Sequence, residues 1–443
     1  MKRVIFQRLT EWKHSDRRKP LILQGARQVG KTYILTEFAR KNYDNSLVLN
    51  FDDQPALKRF FDQDLEPYRI LNDLAIHFDI RIEPEKTLII FDEIQESPNT
   101  LASLKYFHEK ANEYHVCAAG SLLGVKLAHT KGFPVGQVNF LQMYPMSFME
   151  FLDASGNGRY KDMIAAIEKI EPLPEPFHQT LLQLLKKYLI IGGMPEVVAA
   201  YVNHEDLNVC RVVQKEIMKT YQLDFAKHTT ASQAMKISQV WDSIPSQLAK
   251  DNKKFLYTVV RKSARAREYE EALQWLFEAG VIYRIYNTNA PKLPLKAYAD
   301  IESFKLYSLD VGILNAHANL KPSLLVEGNT LFQEYKGSLT ENFVTQELMQ
   351  IFDENYYWTS EGRAEVDFII EHEGDIYPLE VKSGLSQRKK SLMVYNEIYH
   401  PKMLIRTSIN NLKYNGNILN IPLYMISEML RLVNVLKARV QKH

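Results

Sequence analysis

Short apolar runs bounded by polar or glycine residues alternate with helix-like segments over the first third of the chain. Leu21-Ile22-Leu23, Leu47-Val48-Leu49-Asn50-Phe51-Asp52, Leu88-Ile89-Ile90-Phe91 and Val116-Cys117-Ala118-Ala119 each have the length and bounds of a short strand. Such alternation from residue 21 to about 145 predicts βαβ units around a parallel sheet. From about 147 to 225 the spacing turns helical, with Leu181, Leu182, Leu184, Leu185, Tyr188 and Leu189 on one apolar face, which predicts a helical lid or spacer. Residues 232 to 290 read as helices followed by a helix end at Gly280 and an alternating strand through Val281-Ile282-Tyr283-Arg284-Ile285-Tyr286, the order of a small winged-helix domain. Beyond 325 the pattern predicts a helix near 338 to 352, a hairpin turning on Glu373-Gly374 and further alternation to 426.

Composition bounds this picture without changing it. At 443 residues the chain has room for about two to four domains. With 46% aliphatic and aromatic residues and 24% charged, each can bury a core. A net charge of +2 excludes a wholly basic coat for nucleic acid but allows local patches. Lys253, Lys254, Arg261, Lys262, Arg265 and Arg267 form one such cluster, read as a solvated face with a DNA-reading surface as the alternative. Cys117 and Cys210 are far apart with no partners at metal-ligand spacing, which suits a reducing cytoplasm. Charges interrupt the N-terminal apolar residues too early for a signal-peptide core, and no apolar run has transmembrane length, so no membrane partner is expected.

The chemistry begins at Gly25-Ala26-Arg27-Gln28-Val29-Gly30-Lys31-Thr32, a complete GxxxxGK[ST] string between the Leu21–Leu23 strand and a helix-like run. This is a P-loop. Backbone N–H groups of such a loop, joined to a helix N-terminus, cradle phosphate oxygens; Lys31 would reach the β and γ phosphates of ATP and the Thr32 hydroxyl would ligate Mg²⁺. Hydrolysis needs an acid on the metal and a group to orient water. Asp92 and Glu93 stand at the carboxyl end of the Leu88–Phe91 run, where ligands of parallel sheets collect, so Asp92 is assigned to the Mg²⁺ side and Glu93 to the water. Ser121, after Gly120, is a candidate sensor of the γ-phosphate, although serine after glycine is also ordinary turn chemistry. Arg27 would contact phosphate or a neighbouring acid, and no arginine finger can be nominated from spacing.

The strings Gln24 to Thr32, Phe91-Asp92-Glu93-Ile94-Gln95, Ala119-Gly120-Ser121 and Tyr144-Pro145-Met146-Ser147-Phe148 together resemble prokaryotic AAA-type ATPases of largely undefined function. Gly192-Gly193-Met194-Pro195-Glu196, Lys305-Leu306-Tyr307-Ser308-Leu309-Asp310-Val311-Gly312 and Gly337-Ser338-Leu339-Thr340-Glu341-Asn342 carry the resemblance along nearly the whole chain. Gly136-Gln137 departs from the basic residue that many relatives place after this glycine. The resemblance implies an ATPase core, a winged-helix segment and a C-terminal domain like the restriction-endonuclease fold.

Folding the 365–382 segment about Glu373-Gly374 places Asp367 opposite Glu380, and Glu365 opposite Lys382, on one face. Opposed carboxylates repel unless something positive lies between, and a divalent metal would resolve the conflict. Asp…Glu-x-Lys is the pattern of restriction-endonuclease-like nucleases, in which two acids bind Mg²⁺ and a lysine aligns water. Glu341 resembles the extra acid that such folds carry on their first helix. Gln387-Arg388-Lys389-Lys390 would contact a DNA backbone. The plainer alternative is a cross-strand ion pair beside two acids on a solvated sheet edge.

The expected architecture is therefore α/β: a P-loop ATPase core at 1–150, a helical lid or spacer at 151–225, a winged-helix-like domain at 226–324 and a mixed α/β restriction-endonuclease-like domain at 325–443. The first functional hypothesis is a Mg²⁺-dependent ATPase coupled to DNA binding or processing, with DNA and a second copy of the chain as candidate partners. The alternative is a nucleotide-switched regulatory or scaffolding protein whose nuclease-like domain binds without cutting. A small-molecule kinase is the weakest reading, because no acceptor-binding lid motif is apparent.

Overall fold

The computed structural model describes residues 1–121, 134–250, 253–321, 333–360, 364–384 and 390–440. They form two compact units. One comprises residues 2–144 with 278–281, the other 145–277 with 282–443 and Met1.

The first unit is built on five strands, β1 (Leu21–Gln24), β2 (Asn45–Asn50), β3 (Thr87–Asp92), β4 (His115–Ala119) and β5 (Asn139–Gln142), in the order β2-β3-β4-β1-β5. Every pairing is parallel. The continuous apolar runs of β1, β3 and β4 follow from this, since strands of a parallel sheet are covered on both faces. Under one face Phe51, Phe61, Phe91 and Phe107 pack ring to ring, at centroid separations of 5.5 to 6.1 Å. Because β4 lies between β3 and β1, the residues after β4 fall between the P-loop and the end of β3. At Gly25 (φ +148°) a Cβ would stand 2.3 Å from the Met143 carbonyl oxygen, so the loop leaves the sheet only through a glycine.

In the second unit the expected helical stretch resolves into five helices, Phe148–Ala154, Gly158–Ala165, Glu175–Ile191, Pro195–His204 and Leu207–Lys227. Three further helices, Ala231–Leu248, Tyr257–Val260 and Ala266–Glu278, lead through Gly280 (φ 71°) into an antiparallel pair, β6 (Ile282–Thr288) and β7 (Ala299–Ser308). That pair is one side of an eight-stranded mixed sheet completed by β8 (Asn355–Ser360), β9 (Ala364–His372), β10 (Asp375–Val381), β11 (Leu404–Ser408), β12 (Lys413–Asn415) and β13 (Ile418–Pro422). Its order is β12-β13-β11-β10-β9-β8-β6-β7. Strands from either side of residue 325 thus share one sheet, with β6 parallel to β8.

The hairpin at 373–374 forms as its sequence predicts: Glu373 (φ 51°) and Gly374 (φ 78°) both take the left-handed conformation of a two-residue turn. Pairing runs from Asp375↔His372 to Leu379↔Phe368. Against β8, however, β9 shifts register between Tyr356↔Ile369 and Trp358↔Val366, which disturbs the strand at Asp367. Gly192-Gly193 and Asp310 meet in the core of this unit. The Asp310 carboxylate accepts from the N–H groups of Gly193 (2.6 Å) and Ile313 (2.9 Å), and a Cβ on Gly192 would lie 2.1 Å from it. Burial raises Asp310 to about 6 against these bonds, so these motif residues serve packing.

Candidate functional site

The strand ends of the first unit bring the P-loop, Asp92, Glu93 and Ser121 together. Gly30 (φ 94°) and Gln28 (φ 64°) bend the loop so that the Lys31–Asn42 helix starts directly beneath it. Lys31 is 7% exposed, and its Nζ donates to the carbonyls of Gly25 (2.9 Å) and Ala26 (2.9 Å) and to Ser121 Oγ (3.0 Å). Desolvation lowers Lys31 to about 8, against the attraction of Glu93 and Asp92. The Thr32 hydroxyl lies 3.0 Å from each Asp92 carboxylate oxygen. Asp92 is raised by its own burial and held down in part by that hydroxyl. Glu93 is a non-glycine residue at φ 50°, held by Gln95 Nε2 on one oxygen, with Ser121 Oγ 3.5 Å from the other.

Two residues here escaped the sequence reading. Asn50, at the end of β2, donates to Asp92 Oδ2 at 3.1 Å while its Oδ1 accepts from the N–H groups of Asp52 and Asp53. Gln95 orients Glu93. The signal for Asn50 was its place at a strand carboxyl end, the same rule that found Asp92. Thr32 hydroxyl, Asp92 carboxylate and the glycine-dependent cradle form a hard-oxygen, donor-rich set that suits Mg²⁺ and phosphate.

The C-terminal residues converge differently from the predicted hairpin. Asp367 turns its carboxylate to accept from the Val381 N–H at 2.7 Å. Glu380 pairs with Lys382 at 2.8 Å, and Glu365 pairs with Lys305, so the expected Glu365–Lys382 pair is replaced by two others. Pairing of β9 with β10 runs only as far as Leu379↔Phe368, so the side chains beyond it take other partners. Glu341, on the Gln333–Leu348 helix, takes Lys253 on one oxygen and the Tyr307 hydroxyl on the other at 3.1 Å. Lys253 therefore does not lie on a solvated face. Lys305 is 0% exposed and sits 4.7 Å from the Tyr357 ring centroid.

Three ammonium groups, Lys253, Lys305 and Lys382, thus face four carboxyls, Glu341, Glu365, Asp367 and Glu380. The odd carboxyl is Asp367, which burial and the nearby Glu341 raise to about 7. Lysines supply the positive charge that the sequence reading gave to a metal. Glu380 Oε2 is buried without a hydrogen-bond partner, yet among the described residues no group of three or more His, Cys, Asp or Glu converges to hold a metal ion. Gln387, Arg388 and Lys389 lie outside the described residues.

The fold and site of the first unit define a P-loop nucleotide-binding core, and residues 17–152 match the family model of an AAA domain. Residues 182–324 and 336–426 match two domains of unknown function, DUF8612 and DUF4143. The uncharacterized protein MJ1544 of Methanocaldococcus jannaschii is 22% identical over 405 residues, covering 89% of this chain and 82% of that protein. The uncharacterized protein MJ1637 of the same organism is 24% identical over 203 residues, covering 43% and 41%. Among solved structures, the Walker-type ATPase PABY2304 of Pyrococcus abyssi aligns at 14% identity and TM-score 0.46, over 71% of this chain and 95% of that one. Among the described residues no helix is long and apolar enough to cross a membrane.

Proposed function

We propose that the protein binds ATP with Mg²⁺ at the P-loop, hydrolyses it, and uses turnover to control DNA binding or processing by the second unit. The observation that carries the ATPase reading is the meeting of Lys31, Thr32, Asp92 and Glu93 at one edge of the parallel sheet. The N–H groups of residues 25 to 32 would hold the phosphates, with the Lys31 ammonium exchanging its bonds to Gly25 and Ala26 for phosphate oxygens. Thr32 and Asp92 would hold Mg²⁺, which screens phosphate charge when bound. Glu93 orients the attacking water and Ser121 senses the γ-phosphate. Cys117 and Cys210, both free and buried, suit a reducing cytoplasm, and a second copy of the chain is a candidate partner.

ATP turnover by the full chain, with and without duplex DNA across a salt series, tests the coupling. Stimulation by DNA with salt-sensitive binding supports it; turnover indifferent to DNA, with no such binding, refutes it.

The charge balance around Asp367 favours a second reading of the C-terminal unit as a binding module that does not cut. Cellular function retained in Asp367→Ala and Glu380→Ala supports that reading. Mg²⁺-dependent DNA cleavage that disappears in Lys382→Ala overturns it.

A further inference from the structure

Outside both candidate sites, the last strands of the eight-stranded sheet enclose a cavity of about 350 Å³ whose lining includes Pro172, Arg406, Asn410, Asn411, Lys413 and Asn420. Its chemistry is one-sided. The two charged residues of the lining are cations, and no Asp or Glu lines it among the described residues. Arg406 and Asn420 are register partners on the neighbouring strands β11 and β13, and Asn420 also pairs with Lys413 on β12. These three residues therefore form one row across the sheet edge.

The row is rigidly built. Arg406 Nε donates to Asn420 Oδ1 at 3.1 Å, and Asn420 Nδ2 donates to the carbonyls of Asn410 (3.2 Å) and Asn411 (2.9 Å). Asn411 in turn exchanges hydrogen bonds with the backbone of Leu173, at 2.9 and 2.8 Å. One guanidinium nitrogen, Arg406 Nη1, is buried and has no hydrogen-bond partner. A buried charged donor left unmade is costly, and native structures normally supply it with an acceptor. The register neighbour of Arg406 on β10 is Glu380, whose Oε1 is paired with Lys382 at 2.8 Å and whose Oε2 is buried without a hydrogen-bond partner.

We propose that this cavity binds the phosphate group of a small molecule, with Arg406 as the principal donor, Lys413 at the rim and the asparagines holding the guanidinium in place. A planar guanidinium matches a tetrahedral oxyanion by charge-assisted hydrogen bonds. The volume lies in the range of small-molecule pockets.

The test uses the full chain carrying Lys31→Ala, so that the P-loop does not compete for phosphate. Calorimetric titration with inorganic phosphate and with ribose 5-phosphate at constant ionic strength should give saturable binding. Arg406→Gln should weaken it by about tenfold or more, the loss expected for a charge-assisted pair. Lys413→Glu, at an exposed position, should weaken it severalfold, with the melting midpoint of each variant reported alongside. Absence of binding at millimolar phosphate overturns the proposal, as does equal affinity in both variants. Binding of a single-stranded oligonucleotide in an Arg406-dependent manner, without binding of either small phosphate, also overturns it and assigns the cavity to nucleic acid.

Discussion

Replacing Lys305 by methionine keeps most of the side-chain length and removes the charge. The ammonium is wholly buried, is paired with Glu365, and is within electrostatic reach of Glu341 and Asp367. These three acids hold its pKa above the ordinary lysine value even though burial alone would lower it. Breaking a buried pair by removing one partner typically costs about 3–5 kcal/mol, because the remaining carboxylates lose their counter-charge. For a unit of about 300 residues, at about 2.1 cal/mol/K of unfolding entropy per residue, that corresponds to a fall in melting midpoint of roughly 5–8 °C. Differential scanning calorimetry of Lys305→Met reads the loss directly, and adding Glu365→Gln should recover part of it, since the double variant no longer buries an unmatched charge. Magnesium separates the two accounts of this cluster. If lysines balance the acids, 10 mM Mg²⁺, roughly the upper end of ordinary assay conditions, leaves the wild-type midpoint unchanged. A Lys305→Met variant as stable as wild type, or a wild type stabilised by several degrees on adding Mg²⁺, would refute the reasoning.

Three other outcomes follow from the same geometry. Asp92→Asn removes a charge beside Thr32 and should leave nucleotide binding measurable while cutting Mg²⁺-dependent turnover by about a hundredfold or more, read as kcat at saturating ATP. Lys31 stands at about 8 in the free protein, and bound phosphate favours its ammonium form; ATP binding should take up a proton above pH 8, and affinity should weaken by up to about tenfold per pH unit from 8 to 10. Asp367, raised to about 7, is favoured in its neutral form by folding, so its contribution is complete below the ordinary aspartate range and lost as pH rises through 7; Asp367→Asn should flatten the fall in melting midpoint between pH 5 and 8.

Much of the first unit was legible because each clue was local. The P-loop string, the apolar run ending in Asp92-Glu93 and Ser121 after β4 are contiguous segments, and the parallel sheet brings their ends together with no further information. Asn50 and Gln95 were less visible because a single polar residue at a strand end or in a turn has many uses. At the C-terminal site the turn chemistry at Glu373-Gly374 set the hairpin register correctly, since two left-handed residues admit little else. The hairpin could not reveal Lys305 and Lys253, which arrive from β7 and from the segment before the Tyr257–Val260 helix, more than one element away. Nor could it reveal that the pairing of β9 with β10 runs only as far as Leu379↔Phe368, short of Asp367 and Glu380. The continuity of β6 and β7 with the later strands was hidden for the same reason, because parallel pairing of β6 with β8 joins segments far apart in the chain.

The proposed function requires one site that binds ATP through Lys31 and hydrolyses it through Glu93. The most direct measurement compares Mg²⁺-ATP turnover and fluorescent-nucleotide binding in wild type, Lys31→Ala and Glu93→Gln. Wild type should hydrolyse ATP, Lys31→Ala should lose both binding and turnover, and Glu93→Gln should keep binding while turnover falls by about 10²–10⁴-fold, the range for loss of a positioned base. Unchanged hydrolysis in Lys31→Ala would contradict the account.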